Sequence, residues 1–158
     1  MELTPGFTPN AAQKILPPFW LFAGLATMAL ISYVYPTPVD PLVQAKLFGW
    51  ALFASAFVMA WRAKRRFDLV ETPVRPFTES TEIVEAGLFR FSRNPMYLAL
   101  HIGMVAFAIA IGDGLPFIVI PVFFTVISTQ FIAHEEQLME ARFGQAYLDY
   151  KSRVRRWL

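Results

Sequence analysis

Four long apolar runs alternate with polar connections along the chain: Phe19–Tyr35, Leu42–Trp61, Pro95–Ile111 and Gly114–Ala133. Each has 17 to 20 residues, close to the roughly 20 that a helix needs to cross about 30 Å of hydrocarbon. After the fourth run the pattern changes. Met139, Phe143, Tyr147, Tyr150, Val154 and Trp157 recur at spacings of 4, 4, 3, 4 and 3, the period of an amphipathic helix with its apolar residues on one face. The pattern predicts an all-α integral membrane protein of one domain, residues 1–158. It has four transmembrane helices (19–35, 42–61, 95–111 and 114–133), a loop over 62–94 and a C-terminal amphipathic helix over 134–158 lying at the membrane interface. Gly144 interrupts that last helix.

Composition agrees with this class. Apolar residues make up 56% of the chain, charged residues only 16%, and the mean hydropathy is +0.44, whereas soluble domains run at about 45–50% apolar and about 25% charged. The absence of Cys excludes disulfides, thiolate metal sites and cysteine nucleophiles. With His101 and His134 the only histidines, no metal is expected. The segment Met1–Lys14 contains Pro5, Gly6 and Pro9 and lacks a basic start, unlike a cleaved signal peptide. The net charge of +2 matters through its placement. Thirteen of the 14 basic residues precede the first run, lie between the second and third, or follow the fourth; Lys46 is the exception. The positive-inside rule then predicts that both termini and the 62–94 loop are cytosolic.

The turn Gly112-Asp113-Gly114 is too short for anything but an antiparallel hairpin. It brings the start of the third run, "RNPMY" at 93–97, beside the end of the fourth, "HEE" at 134–136. Asn94 and Pro95 suit a helix start, as N-cap and first helical residue, and a helix start also offers free N–H groups to an anion. His101 lies one turn deeper than Tyr97, where an ionisable group is a functional candidate, although a neutral histidine bonded to a neighbouring helix fits the sequence equally well.

The run "EIVEAGLFRFSRNPMY", followed one hairpin later by "HEEQLMEARFGQAYLDYKSRV", resembles the isoprenylcysteine carboxyl methyltransferase family, whose superfamily includes phospholipid N-methyltransferases. The resemblance covers the C-terminal half, Ile83 to Val154. Asn94 stands where the isoprenylcysteine enzymes usually carry His, and Phe89 where they often carry Tyr, so "NPMY" looks closer to the phospholipid branch, while "FGQAYLDYKSRV" matches the isoprenylcysteine branch well. The resemblance implies S-adenosylmethionine held at the cytosolic end of the last two spans and a lipid or other hydrophobic acceptor entering from the bilayer. On that basis Glu135 and Glu136 are candidates for the cofactor's diol, ammonium or sulfonium charge, Arg93 for its carboxylate and Tyr97 for a hydroxyl contact. Asn94 and Pro95 supply the helix start, and Ile83, Val84 and Gly87 the adenine wall. Tyr147, Tyr150 and Arg153 are candidate substrate contacts. No metal is implied, since methyl transfer rests on alignment and exclusion of water.

The resemblance is read as an isoprenylcysteine carboxyl methyltransferase-like enzyme acting on a lipidic or small hydrophobic acceptor, with a phospholipid N-methyltransferase as the alternative. The acceptor itself stays open at this level. A prenylcysteine carboxylate needs no base, whereas a phosphatidylethanolamine amine must lose a proton, for which His101, Glu135 and Glu136 are the candidates. A four-span transporter would need a coupling charge near mid-bilayer, but Lys46 and His101 both lie near the ends of their runs. Nothing points to nucleic acid, and the oligomeric state is not readable. The run Arg62–Arg66 suits a snorkelling anchor at the membrane surface.

Overall fold

The computed structural model describes residues 8, 10–39, 43–78 and 80–158. Among them there is no strand; Pro38 and Asp113 form one isolated bridge. The helices are α1 (Pro17–Val34), α2 (Val43–Leu69), α3 (Pro95–Ile111), α4 (Val119–Val126), α5 (Ala133–Phe143) and α6 (Gln145–Arg153). A 3-10 turn, Leu115–Ile118, leads into α4, and a π turn, Ile127–Ile132, joins α4 to α5. The stretch Leu115–Phe143 is therefore one rod of 29 residues. This rod and α1 are long and apolar enough to cross a membrane, and α3 is a shorter apolar helix of 17 residues.

Each helix starts and stops for a local reason. Pro17 and Pro95 occupy early helical positions of α1 and α3, where their missing N–H leaves no bond unmade. Gly112 ends α3 in the left-handed region (φ 71°) and returns its N–H to the Ala108 carbonyl. The second apolar run does not give way to a loop at Arg62. The helix continues to Leu69, because Arg62–Leu69 contains good helix formers and Lys64 meets Asp68 at 2.8 Å, one turn on.

The amphipathic segment 134–158 is not one helix either. α5 continues the fourth apolar run, Gly144 breaks the chain (φ 53°, ψ −125°), α6 turns away, and Val154 leaves the helix in an extended conformation. Its apolar residues face protein. Tyr147, Tyr150 and Val154 are buried against Ile83, Met139 and Phe143, and Trp157 packs on Phe124 and His101. The periodicity was an accident of two helices and an extended tail sharing a protein-facing side.

Packing between the long helices relies on small residues. α2 and α3 share the most extensive contact of any two elements. A Cβ on Gly49 would sit 2.6 Å from the Ala110 nitrogen and 2.9 Å from the Ala106 oxygen, so these backbones touch. The core gathers Met28, Met104, Phe123, Ile127, Phe131 and Tyr97, with Phe77 reaching in from the loop after α2. Facing outward are Phe19, Phe22 and Leu30 on α1, Leu47, Phe48 and Phe57 on α2, and Val122 on α4, all exposed. A continuous apolar exterior of this kind needs lipid around it.

The π turn was not readable from sequence; only Pro121 marked that rod as irregular. The Gln130 carbonyl in the π turn accepts a hydrogen bond from Gln13 Nε2 at 2.8 Å, so a residue before α1 satisfies a backbone group that an α-helix would have paired internally.

Candidate active site

The hairpin expected from Gly112-Asp113-Gly114 is present, and it brings the start of α3 to the start of α5. Tyr97 Oη donates to Glu135 Oε1 at 2.8 Å across 38 positions of sequence. Glu135 is half-buried, and burial pushes its carboxyl up to about 7; the Tyr97 hydrogen bond draws it down and the neighbouring charge of Glu136 adds to the rise.

The adjacent carboxylate has the opposite fate. Glu136 is 5% exposed and lies between two arginines. Arg93 donates to Oε1 from Nη2 at 2.8 Å and Nε at 3.3 Å, and Arg156 donates to Oε1 from Nε at 3.1 Å and to Oε2 from Nη2 at 2.5 Å. Burial would raise this carboxyl, but the hydrogen bonds from Arg156 and Arg93 outweigh it and hold Glu136 below the usual carboxylate range.

Arg93 also donates through Nη1 to the carbonyls of Lys151 (3.1 Å) and Val154 (2.6 Å). Four of its five N–H groups are thereby engaged by protein, leaving little for the cofactor carboxylate that sequence reasoning assigned to it. Its backbone N–H reaches the Arg155 carbonyl at 2.9 Å. Ser92 Oγ and Asn94 Nδ2 both donate to the Arg156 carbonyl, at 3.1 and 3.2 Å. Asn94 is thus at the N-cap position without capping through its side chain; its amide fastens the C-terminal tail instead. Arg156 and that tail were missed from sequence, where the basic end read as a surface feature.

Between the start of α3, α5, α6 and the loop after α2 lies an open cleft of about 820 Å³, mouth included. Of the residues singled out from sequence, Ile83, Val84, Arg93, Asn94 and Tyr97 line it, as do Glu135, Glu136, Tyr147 and Tyr150. Tyr150 Oη donates to the Phe89 carbonyl at 2.8 Å, and burial, followed by the nearby charge of Glu85, pushes its hydroxyl up to about 12. Burial raises Tyr147 still further.

Four candidates stand outside the cleft lining. Gly87 adopts φ 67°, and a Cβ there would meet Arg66 Nε at 2.8 Å, so it makes room for an arginine rather than for an adenine. Pro95 is buried in the start of α3. Arg153 forms an exposed 3.0 Å pair with Glu85. His101 donates from Nδ1 to the Tyr97 carbonyl at 2.6 Å, and its ring is packed edge-on by Phe123, Phe124 and Trp157. Its Nε2 is buried without a partner among the described residues. His101 therefore sits behind Tyr97, apart from the space that Glu135 faces.

The loop after α2 supplies a wall with no sequence pattern to announce it. Phe77 takes φ 60°, a strained conformation for a bulky residue, and in return buries its ring in a stack on Phe131, with centroids 5.8 Å apart and planes 17° apart. Pro73, Val74 and Arg75 are held along the cleft by this anchor.

Residues 45–146 match the family model described as phospholipid methyltransferase. The chain belongs to the phospholipid methyltransferase family. This family lies in the same superfamily as the isoprenylcysteine carboxyl methyltransferases. A Haemophilus influenzae protein described only as uncharacterized is 40% identical over 63 residues, covering 40% of this chain and all of that one. As a member of the phospholipid methyltransferase family, the chain is a membrane methyltransferase.

The ring faces and the acceptor in the cleft would suit S-adenosylmethionine. Aromatic rings (Phe67, Phe89, Tyr147 and Tyr150) offer faces for an adenine, and Glu135 offers an acceptor for a hydroxyl or ammonium group. Among the described residues no cluster of three or more His, Asp or Glu could hold a metal ion.

Proposed function

We propose that this protein is an S-adenosylmethionine-dependent methyltransferase whose acceptor is a lipidic amine reaching the cleft from the bilayer. The observation that carries this reading is Glu135, a carboxyl on the cleft wall held near pH 7 and hydrogen-bonded to Tyr97. An amine acceptor is mostly protonated at neutral pH and must lose a proton before it is a nucleophile. A carboxyl with an ordinary value near 4 is a poor base for that task; one raised to about 7 is matched to it.

When bound, S-adenosylmethionine supplies an electrophilic methyl group on a sulfonium. The protein's own residues do the rest. Tyr97 fixes Oε1 of Glu135, and the free oxygen of its ionised fraction accepts the acceptor's proton. The Arg93–Glu136–Arg156 triad ties the tail to the start of α3 and so fixes the cleft's shape. The aromatic walls exclude water from the cofactor's ring. Four membrane spans with both termini cytosolic complete the proposal. Tags before Met1 and after Leu158 would then be reached from the cytosolic side alone, and termini found on opposite sides would refute it.

Detergent-solubilised protein incubated with methyl-labelled S-adenosylmethionine and phosphatidylethanolamine vesicles is expected to label the lipid, at a rate that rises as pH passes through about 7. A rate flat from about pH 6 to 9 on a prenylcysteine acceptor would assign the acceptor to carboxylate chemistry instead. No labelled lipid of any class, with no binding of S-adenosylhomocysteine, would refute the methyltransferase reading.

A further inference from the structure

Among the described residues two cations line the cleft, Arg93 and Arg75. Arg93 is spent on Glu136 and on backbone carbonyls. Arg75 is exposed at the rim, and among the described residues its guanidinium has no ion pair, hydrogen bond or ring contact. Glu82 is its acidic counterpart, also exposed, also lining the cleft, and also without a side-chain partner among the described residues.

Both residues stand on braced backbone. Thr78 Oγ1 donates to the Arg75 carbonyl at 2.7 Å, and the Glu82 N–H donates to Thr72 Oγ1 at 3.2 Å. Phe77, two residues after Arg75, is anchored in the core despite its positive φ. An anchor under strain immediately behind an uncommitted cation fits a segment shaped to present that cation.

We propose that Arg75 and Glu82 form a rim subsite for a zwitterion, with Arg75 taking an anionic oxygen group and Glu82 an ammonium. A guanidinium binds carboxylate or phosphate through two parallel hydrogen bonds, and a carboxylate accepts from an ammonium. Two molecules carry this chemistry to the cleft: the amino-acid half of the cofactor, and a zwitterionic phospholipid headgroup. The inference rests on the methyltransferase reading above. It moves the anion-binding role from Arg93, whose donors are taken, to a residue whose donors are available.

The test uses calorimetry on full-length protein in detergent, comparing the wild type with Arg75→Gln, Arg75→Lys and Glu82→Gln. These positions are exposed, so the variants keep the fold, which an unchanged melting temperature checks. The probes are S-adenosylhomocysteine, 5′-methylthioadenosine, which lacks the amino-acid half, and dihexanoylphosphatidylethanolamine. If the cofactor is the zwitterion, each Gln variant binds S-adenosylhomocysteine about tenfold more weakly, corresponding to about 1.4 kcal/mol. Methylthioadenosine then binds as before, and Arg75→Lys recovers part of the loss. If the headgroup is the zwitterion, the tenfold loss appears with the short-chain lipid and S-adenosylhomocysteine is unaffected. Unchanged affinity for all three probes overturns the subsite while leaving the methyltransferase reading intact. A wild type that binds the lipid but no S-adenosylhomocysteine overturns the methyltransferase reading and leaves the lipid arm to judge the rim.

Discussion

The two ends of the bundle treat their carboxylates in opposite ways. At the hairpin end Asp113 is 5% exposed and fully employed. It accepts from Ser32 Oγ at 2.7 Å, from the Thr37 N–H at 3.0 Å and from the Thr37 hydroxyl. These hydrogen bonds, Ser32's first, hold it below the usual carboxylate range. Val39 and Gly114 close the same end with backbone bonds to Gly112 and Thr37, each 3.1 Å. At the other end Glu136 is as thoroughly satisfied as Asp113, but Glu135 beside it has, among the described residues, one donor and a raised carboxyl. Satisfied groups hold a fold together. An under-satisfied one facing a cleft is a candidate for chemistry.

The largest effect should come from breaking the triad. Glu136→Ala leaves two arginines without a counter-charge, one of them with a side chain only 8% exposed, and removing one partner of a buried pair costs about 3–5 kcal/mol. Thermal melting in detergent should show it, together with loss of the cleft's ligand affinity as the tail detaches. A variant that melts like the wild type would mean that the triad does not hold the tail.

Asp113→Ala tests the closed end. Losing the acceptor for Ser32 and Thr37 should destabilise by about 1–3 kcal/mol without changing affinity for S-adenosylhomocysteine. An affinity loss there comparable to that of a cleft mutation would erase the distinction between the ends.

The two adjacent glutamates should also part company with pH. The raised carboxyl of Glu135 means that folding favours its neutral form. Its stabilising contribution is complete below the unfolded value of about 4.3 and is lost as pH rises through about 7. Glu135→Gln should therefore melt above the wild type at pH 8 and level with it near pH 4. Glu136, held low, contributes stability above the unfolded value and loses it as pH falls through its depressed one. Glu136→Gln should accordingly lose most at neutral pH. Parallel pH profiles for the two variants would contradict the contrast.

The smallest expected effect belongs to Tyr97→Phe. It removes one hydrogen bond, about 1 kcal/mol, and because that bond draws the Glu135 carboxyl down, the midpoint of the pH–rate profile should move upward. A downward shift would mean that Tyr97 does not donate to the ionised form.

These contrasts also mark where sequence reading succeeded. Tyr97 and Glu135 were paired from 38 positions apart because the Gly112-Asp113-Gly114 turn leaves the chain no other geometry. Asn94 was placed at a helix start because Pro95 follows it. What stayed hidden depends on long-range satisfaction. No local pattern says that Arg93 is spent on Glu136 and the Val154 carbonyl, or that Asn94 turns to Arg156. Nor does one say that the Met139–Trp157 stripe faces protein. Phe77 with its neighbour Arg75 was invisible because an irregular loop has no period, and the π turn because its carbonyl is satisfied by Gln13, more than 100 residues away in the chain.

The central claim, that the cleft around Glu135 holds the methyl donor, is tested most directly by calorimetric titration of S-adenosylhomocysteine into detergent-purified wild type, Glu135→Gln and Asp113→Ala. The wild type and Asp113→Ala should bind with equal affinity. Glu135→Gln, which loses a negative acceptor, should bind more weakly by about 1–3 kcal/mol. Binding that is absent from the wild type, or that Glu135→Gln leaves untouched, would contradict the claim.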